Sequence, residues 1–552
     1  MAIMATPTVD RFLEGISEII NRSDAEELRN WMPIEPAFPD IYNNIIQEMR
    51  SQFPADPEKP AEVSSQLEEK VRPKLSSVLL TNGDEWTGFA AFMCQYLVYL
   101  REVDPGNLLS TYRQLTELVS KCNSALSASE VGVVMLPVAV TYAKVLARLA
   151  LGLEKQPELI ANFVEQTDEG GERLSLPERA ANTIRNGFVA CLNEMAQYTS
   201  NQATKPFGRH AGIYKLANIC LKIFFGCQKT KSAEQIFTNI GAKSPPIEIY
   251  PRSERATYLY YLGRFYFTVN HFYRAQAALQ AAYDECHKQA TKQRRLILVY
   301  LVTSNIILGK FPSEALYQKP EARGFRERYQ PICNAIRSGD LASFRRLTAM
   351  DNEHAEWFLF HRVFLQIRSR CEVLVWRSLS RKVWILHGDR GQPELRRPPF
   401  LELEDLVTVA QYLEKRALNP LSLSDGGPGN RHTNWVFMSQ DPPKASRYVD
   451  DDFEGLEEDD EFFDEEVNPF LLPDLQVIES VVSSLVSQGL INGYVSTQKK
   501  LAIQGATRKP TLEAGWPNVW QTIKTRCEKG GEDIPGWKRR RIGFAQGGRQ
   551  FM

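Results

Sequence analysis

Residues 254–264 read Glu-Arg-Ala-Thr-Tyr-Leu-Tyr-Tyr-Leu-Gly-Arg. The stretch continues through His271-Phe272, Ala275, Leu279, Ala282 and Cys286-His287. It closes with Arg294-Arg295-Leu296-Ile297-Leu298-Val299-Tyr300-Leu301 and Leu308-Gly309-Lys310-Phe311-Pro312. Leu259, Leu262, Gly263, Tyr266, Ala275, Leu279 and Ala282 have the spacing of two antiparallel helices joined by a turn. Small residues let such helices approach closely, and larger ones fill the seam between them. The hairpin is a structural unit and carries no chemistry of its own.

Working outward, the same offsets are those of a tetratricopeptide-type repeat, and helical pairs extend on both sides. Trp86–Arg101, Asn107–Cys122, Leu136–Leu153, Pro177–Tyr198 and His210–Gly226 are predicted helices, joined by segments carrying Gly, Pro, Asp and Ser. Repeated pairs, each burying a face on the next, imply a mainly α chain built as an α-solenoid. Before them, residues 1–80 read as an N-terminal arm, with helical periodicity over Val9–Arg22 and a Ser-Asp start signal ahead of Asp24–Trp31. Residues 81–230 are the N-terminal helical repeats, and 231–367 continue the tetratricopeptide-like part. Within that part, Gly339-Asp340 followed by Leu341, Phe344 and Leu347 predicts a short helix after a turn.

The pattern changes near Arg368. Cys371–His387 directs Leu374, Val375, Leu379, Val383 and Leu386 inward and leaves Arg377, Arg381 and Lys382 for another face. Leu401–Leu418 is a second amphipathic helix, and Pro473–Gln488 a third, with Pro473 at its first position and Gly489 at a left-handed cap. Strands Ile491–Ser496 and Lys500–Gln504 flank a turn at Thr497–Lys499. Three helices and a β-hairpin make a winged helix over 368–505. An insert at 418–472 interrupts it, rich in Gly, Pro, Ser and Asn and then acidic and aromatic, a composition that cannot bury enough apolar area to fold alone. Residues 506–552 form a basic tail with Trp516, Trp520, Trp537 and the cluster Lys538–Arg541, which reads as either an import signal or extra phosphate contacts.

The chain has 552 residues and a formal charge of -1. That balance conceals a basic protein. Asp450–Glu466 holds twelve acidic and no basic residues, and the remainder has 66 basic against 55 acidic side chains. Nine scattered cysteines include no CxxC pair and no zinc-type spacing with histidine, so they read as buried free thiols of a reducing compartment. The most apolar stretch, Val131–Leu153, contains Pro137, Lys144 and Arg148 and reads as a core helix; no membrane partner is expected. There is no Walker loop, GxGxxG, HExxH or GxSxG, so catalysis, metal and cofactor are not expected.

The wording of Tyr258–Arg264, Phe272–Ala275, Cys286-His287 and Leu296–Pro312, with a second block over Leu401–Gln504, resembles the PCI-domain proteins. These are scaffolds shared by the proteasome lid, the signalosome and translation-initiation assemblies. Within the family it looks most like the branch in nuclear messenger-RNA export, in the TREX-two transcription-export complex. The resemblance covers roughly Asn82 to Gln504 less the insert. It implies a PCI module, a non-enzymatic role in the nucleus at the nuclear pore, and pairing with a larger PCI-type scaffold. It also implies a very small acidic protein of the proteasome-lid type as partner, and RNA or DNA on a basic face. The close alternative is the paralogue associated with the signalosome and splicing factors. The expected nucleic-acid contacts are Arg377, Arg381 and Lys382 on the first winged-helix helix, Lys415 and Arg416 ending the second, Lys499 and Lys500 in the wing, and Arg508 and Lys509 after it. Lysine and arginine meet phosphates as charges, and few aromatics interleave here to stack on bases.

Overall fold

A bare glycine surface sets the spacing of the central hairpin: a Cβ on Gly263 would lie 2.5 Å from Leu279 Cγ. The computed structural model describes residues 7–54, 60–80, 83–128, 131–156, 158, 174–194, 205–391, 398–418, 473–504 and 515–529. The chain is mainly helical and divides into two compact units.

The first unit holds most of the chain up to Val269 together with 278–287. Its helices are α1 (Pro7–Asn21), α2 (Ala25–Asn30), α3 (Asp40–Gln52), α4 (Pro60–Lys74), α5 (Thr87–Glu102) and α6 (Leu108–Leu126). They continue as α7 (Leu136–Leu153), α8 (Leu176–Leu192), α9 (Ile213–Gly226), α10 (Thr230–Lys243) and α11 (Arg252–Thr268). Helix α12 (Phe272–Glu285) spans the boundary between the units. Side-chain caps mark the starts that the sequence announces: Asp24 accepts from Glu27 N, and Asn107 from Ser110 N. Helix α7 is long and apolar enough to cross a membrane, and it is a core element here, with Val138, Leu146 and Ala150 fully buried.

Residues 7–54, within the stretch read as an N-terminal arm, pack against the helices that follow them. Phe12, Leu13, Ile16 and Ile19 are buried, and the Phe12 ring stacks 6.2 Å from Tyr96. The hydroxyls of Tyr96, Tyr99 and Tyr142 donate to the carbonyls of Pro33, Ile34 and Met32. Buried phenols need acceptors, and this segment supplies them. The nine cysteines are free thiols, six of them buried; burial pushes Cys94 up to about 12.

The second unit begins its helices with α13 (Thr291–Ile307), α14 (Glu314–Tyr317), α15 (Phe325–Ser338), α16 (Leu341–Leu347), α17 (Ala355–Phe360) and α18 (Phe364–His387). The winged helix follows as β1 (Phe400–Glu402), α19 (Leu403–Leu418), α20 (Leu475–Ser487), β2 (Gly493–Val495) and β3 (Lys500–Ile503), and α21 (Val519–Lys529) comes last. Gly339, at φ 67°, ends α15, and Asp340 caps α16 through Ser343 N. The sheet order is β1-β3-β2, antiparallel throughout. The first strand was not expected: a three-residue strand leading directly into a helix carries too little alternation to stand out.

Two local expectations change. Helix α20 is capped by Asp474, which accepts from Val477 N, so Pro473 precedes the cap; Gly489 does take the left-handed position, at φ 71°. Leu386 does not turn inward with Leu374, Val375, Leu379 and Val383; it is 84% exposed in the last turn of α18. The insert at 418–472 lies outside the described residues, apart from Leu418 at the end of α19.

Candidate nucleic-acid interface

Helix α18 carries the first group of expected contacts, and the structure separates their roles. Arg377 is half-buried and donates to two backbone carbonyls, Leu490 at 3.1 Å and Pro517 at 2.6 Å. Burial, and then the charge of Arg381, lower its guanidinium from the ordinary value to about 10. Arg377 therefore holds the end of the winged helix to the residues after it. One turn on, Arg381 is half-buried and Lys382 exposed.

Arg377, Arg381 and Lys382 line one side of a cleft of about 430 Å³. Its other cation is Arg337, from the last turn of α15. Close approach brings the two helices together: a Cβ on Gly339 would lie 2.6 Å from Leu379 N, so the turn after α15 sits against the α18 backbone. Phe311, Ile336, Leu374, Trp516 and Val519 supply the apolar lining, and no carboxylate is among the lining residues. The Arg337 guanidinium lies 4.7 Å from the Phe311 ring centroid. Lys382 and Arg337 make no ion pair among the described residues. Sequence reading missed Arg337, since nothing near it in the chain marks which face of α15 meets α18.

Residues 515–529 complete the cleft, although the sequence reading assigned them to the tail. Gly515, at φ 88°, accepts from Asn492 N, and Trp516 is 4% exposed with its ring 5.1 Å from Trp384. Lys310 Nζ lies 4.2 Å from the Trp520 ring centroid. Gly309, at φ 79°, leaves room for Val519, whose Cβ would be 2.7 Å from an added methyl group. The sequence shows Trp516 and Trp520 but not the surfaces that receive them, which are assembled from distant segments.

The wing lysines are both engaged within the domain. Lys499, at φ 59° in the turn, pairs with Glu479 on α20. Lys500 pairs with Glu402 on β1 at 2.9 Å and lies 4.6 Å from the Phe400 ring centroid. Lys415 and Arg416 fall in the last turn of α19, their side chains outside the described residues, as are Arg508 and Lys509. Among the described residues, no group of three His, Cys, Asp or Glu side chains could hold a metal ion.

No protein-family model matches the chain. It is similar to a PCI domain-containing protein of Schizosaccharomyces pombe, 24% identical over 410 residues, which cover 73% of this chain and 84% of the relative. It is also similar to a protein named CSN12 homolog from Neurospora crassa, 28% identical over 265 residues, 46% of this chain and 56% of that protein. PCI domain-containing protein 2 of Xenopus laevis is 27% identical over 209 residues, 38% of this chain and 49% of its own length. The chain thus spans about half the length of these last two relatives. Helical repeats that end in a winged helix thus occur here in a chain that is similar to PCI domain-containing proteins.

Proposed function

We propose that the chain is a non-enzymatic scaffold subunit of a nuclear, transcription-coupled messenger-RNA export complex of the TREX-two kind. Its winged helix pairs with a larger PCI-type scaffold at the nuclear pore, a very small acidic protein stiffens its helical repeats, and a basic surface faces RNA or DNA. The observation that carries this reading is a cleft with four cations and no carboxylate, beside a winged-helix sheet in the same domain. Such a surface attracts phosphates without reading sequence.

A second reading, a signalosome- or splicing-associated subunit, is favoured by the similarity to proteins named CSN12 homolog. Affinity purification of the tagged full chain from nuclear extract, followed by mass spectrometry, separates the two. Recovery of a larger PCI-type scaffold, a very small acidic protein and pore components supports export. Recovery of signalosome or splicing subunits replaces that reading with the second, and recovery of the chain alone removes both.

A further inference from the structure

The cleft between α15, α18 and the start of α21 has features that phosphate binding does not use. Besides Arg337, Arg377, Arg381 and Lys382, it has an apolar lining of Phe311, Leu374 and Trp516. The Trp516 indole nitrogen is buried without a hydrogen-bond partner among the described residues, a donor suited to a carboxylate or carbonyl. A ligand that matches all of this is a peptide combining carboxylates with aromatic side chains.

This chain contains such a peptide. Asp450–Glu466 has twelve carboxylates together with Phe453, Phe462 and Phe463. It is joined to the cleft's own domain at both ends, by Leu418 in α19 and Pro473 before α20. Arg377 on the cleft wall bonds to Leu490, just past the far end of α20 from Pro473. Thirteen helical residues rise about 20 Å, so the cleft lies roughly 20–25 Å from Pro473. The ten residues from Phe463 to Pro473 can span up to about 35 Å, and the 32 from Leu418 to Asp450 far more. Both connections reach.

We propose that this cleft is the docking site of the chain's own Asp450–Glu466 segment, its phenylalanines on the apolar lining and its carboxylates on the cationic rim. Tethering in the same domain gives the segment an effective concentration on the order of mM, so weak intrinsic affinity suffices for occupancy. A polyanion bound there occupies the charges that phosphates would otherwise meet.

The test uses a fluorescent peptide of residues 448–467, titrated by anisotropy in buffer without nucleic acid or partner proteins. Its failure is thereby distinct from failure of the scaffold reading. Saturable binding is expected to the full chain lacking 448–467, and binding about tenfold or more weaker to the intact chain, whose cleft is already filled. Lys382→Glu and Arg337→Glu, both exposed side chains, should each weaken the peptide about tenfold and make its loss with salt shallower, with folding checked by thermal melting. A peptide with Phe453, Phe462 and Phe463 changed to Ser should also weaken, which separates docking from general charge attraction. Equal binding to deleted and intact chains, or binding indifferent to both charge reversals, overturns the proposal. So does a cleft that binds an RNA oligonucleotide equally well in both chains while ignoring the peptide.

Discussion

Arg377 and Pro517, 140 positions apart, are joined by a 2.6 Å hydrogen bond from guanidinium to backbone carbonyl. A second bond from the same side chain goes to Leu490, so one arginine ties α18 to the end of the winged helix and to the segment leading into α21. Its charge is spent on positioning, and of the cations that line the cleft with it Lys382 and Arg337 make no ion pair among the described residues.

Replacing Arg377 by Met should therefore act on stability first. The change keeps most of the volume and leaves two carbonyls without donors, a loss of about 2–3 kcal/mol for bonds to a charged group. Urea unfolding should show a lowered midpoint, and proteolysis should reach residues 515–529 sooner. A change under about 0.5 kcal/mol would mean that these bonds do not hold the segment.

Nucleic-acid affinity should respond unequally to two pairs of charge reversals. Lys499 and Lys500 must each break an ion pair, with Glu479 and Glu402, before reaching a phosphate. Lys382 and Arg337 face no such competition among the described residues. Reversing Lys382 and Arg337 should weaken binding more than reversing the two wing lysines. Each phosphate that the variant no longer neutralises should lower the log-log salt slope by about 0.7–0.9. If the wing pair has the larger effect, the interface lies on the wing and its ion pairs exchange freely with phosphate.

The hairpin at 254–285 was legible because its signal is local: Gly263 faces Leu279 within one pair of helices. Short caps were legible for the same reason, as Asp24 and Asp340 show. What escaped were surfaces assembled from distant segments. Phe12 looks like any amphipathic-helix residue until Tyr96 stands against it. Arg337 gains meaning from the approach of α15 to α18, and Trp516 from Trp384. The wing lysines mislead in the opposite direction, since sequence shows their charge but not the Glu479 and Glu402 that oppose it.

Phe12→Ala tests whether the first helices are integral. The side chain is 4% exposed among Trp31, Tyr42 and Tyr96, and truncating a buried Phe costs about 3–5 kcal/mol. Deleting residues 7–54 should be worse, since it also removes the acceptors of three buried tyrosine hydroxyls; the product should be insoluble or should melt without cooperativity. A soluble deletion protein with an unchanged melting profile would restore the reading of 1–80 as an arm.

The last expectation concerns pH and His210. This side chain is 3% exposed; burial lowers its pKa from the ordinary 6.5, Glu194 acts to raise it, and Arg209 adds to the lowering. The folded chain therefore holds His210 neutral in a range where the unfolded chain protonates it. Where the unfolded state binds more protons, stability rises with pH. The cost is absent above about 6.5, appears as pH falls below it, and stops growing below the depressed folded pKa. Melting temperatures from about pH 7.5 down to 5.0 should fall in the native chain and fall less in His210→Gln, which keeps a polar side chain but cannot titrate in this range. Urea unfolding at the two ends of the range gives an independent measure. The same pH dependence in both proteins would assign the acid sensitivity to other groups.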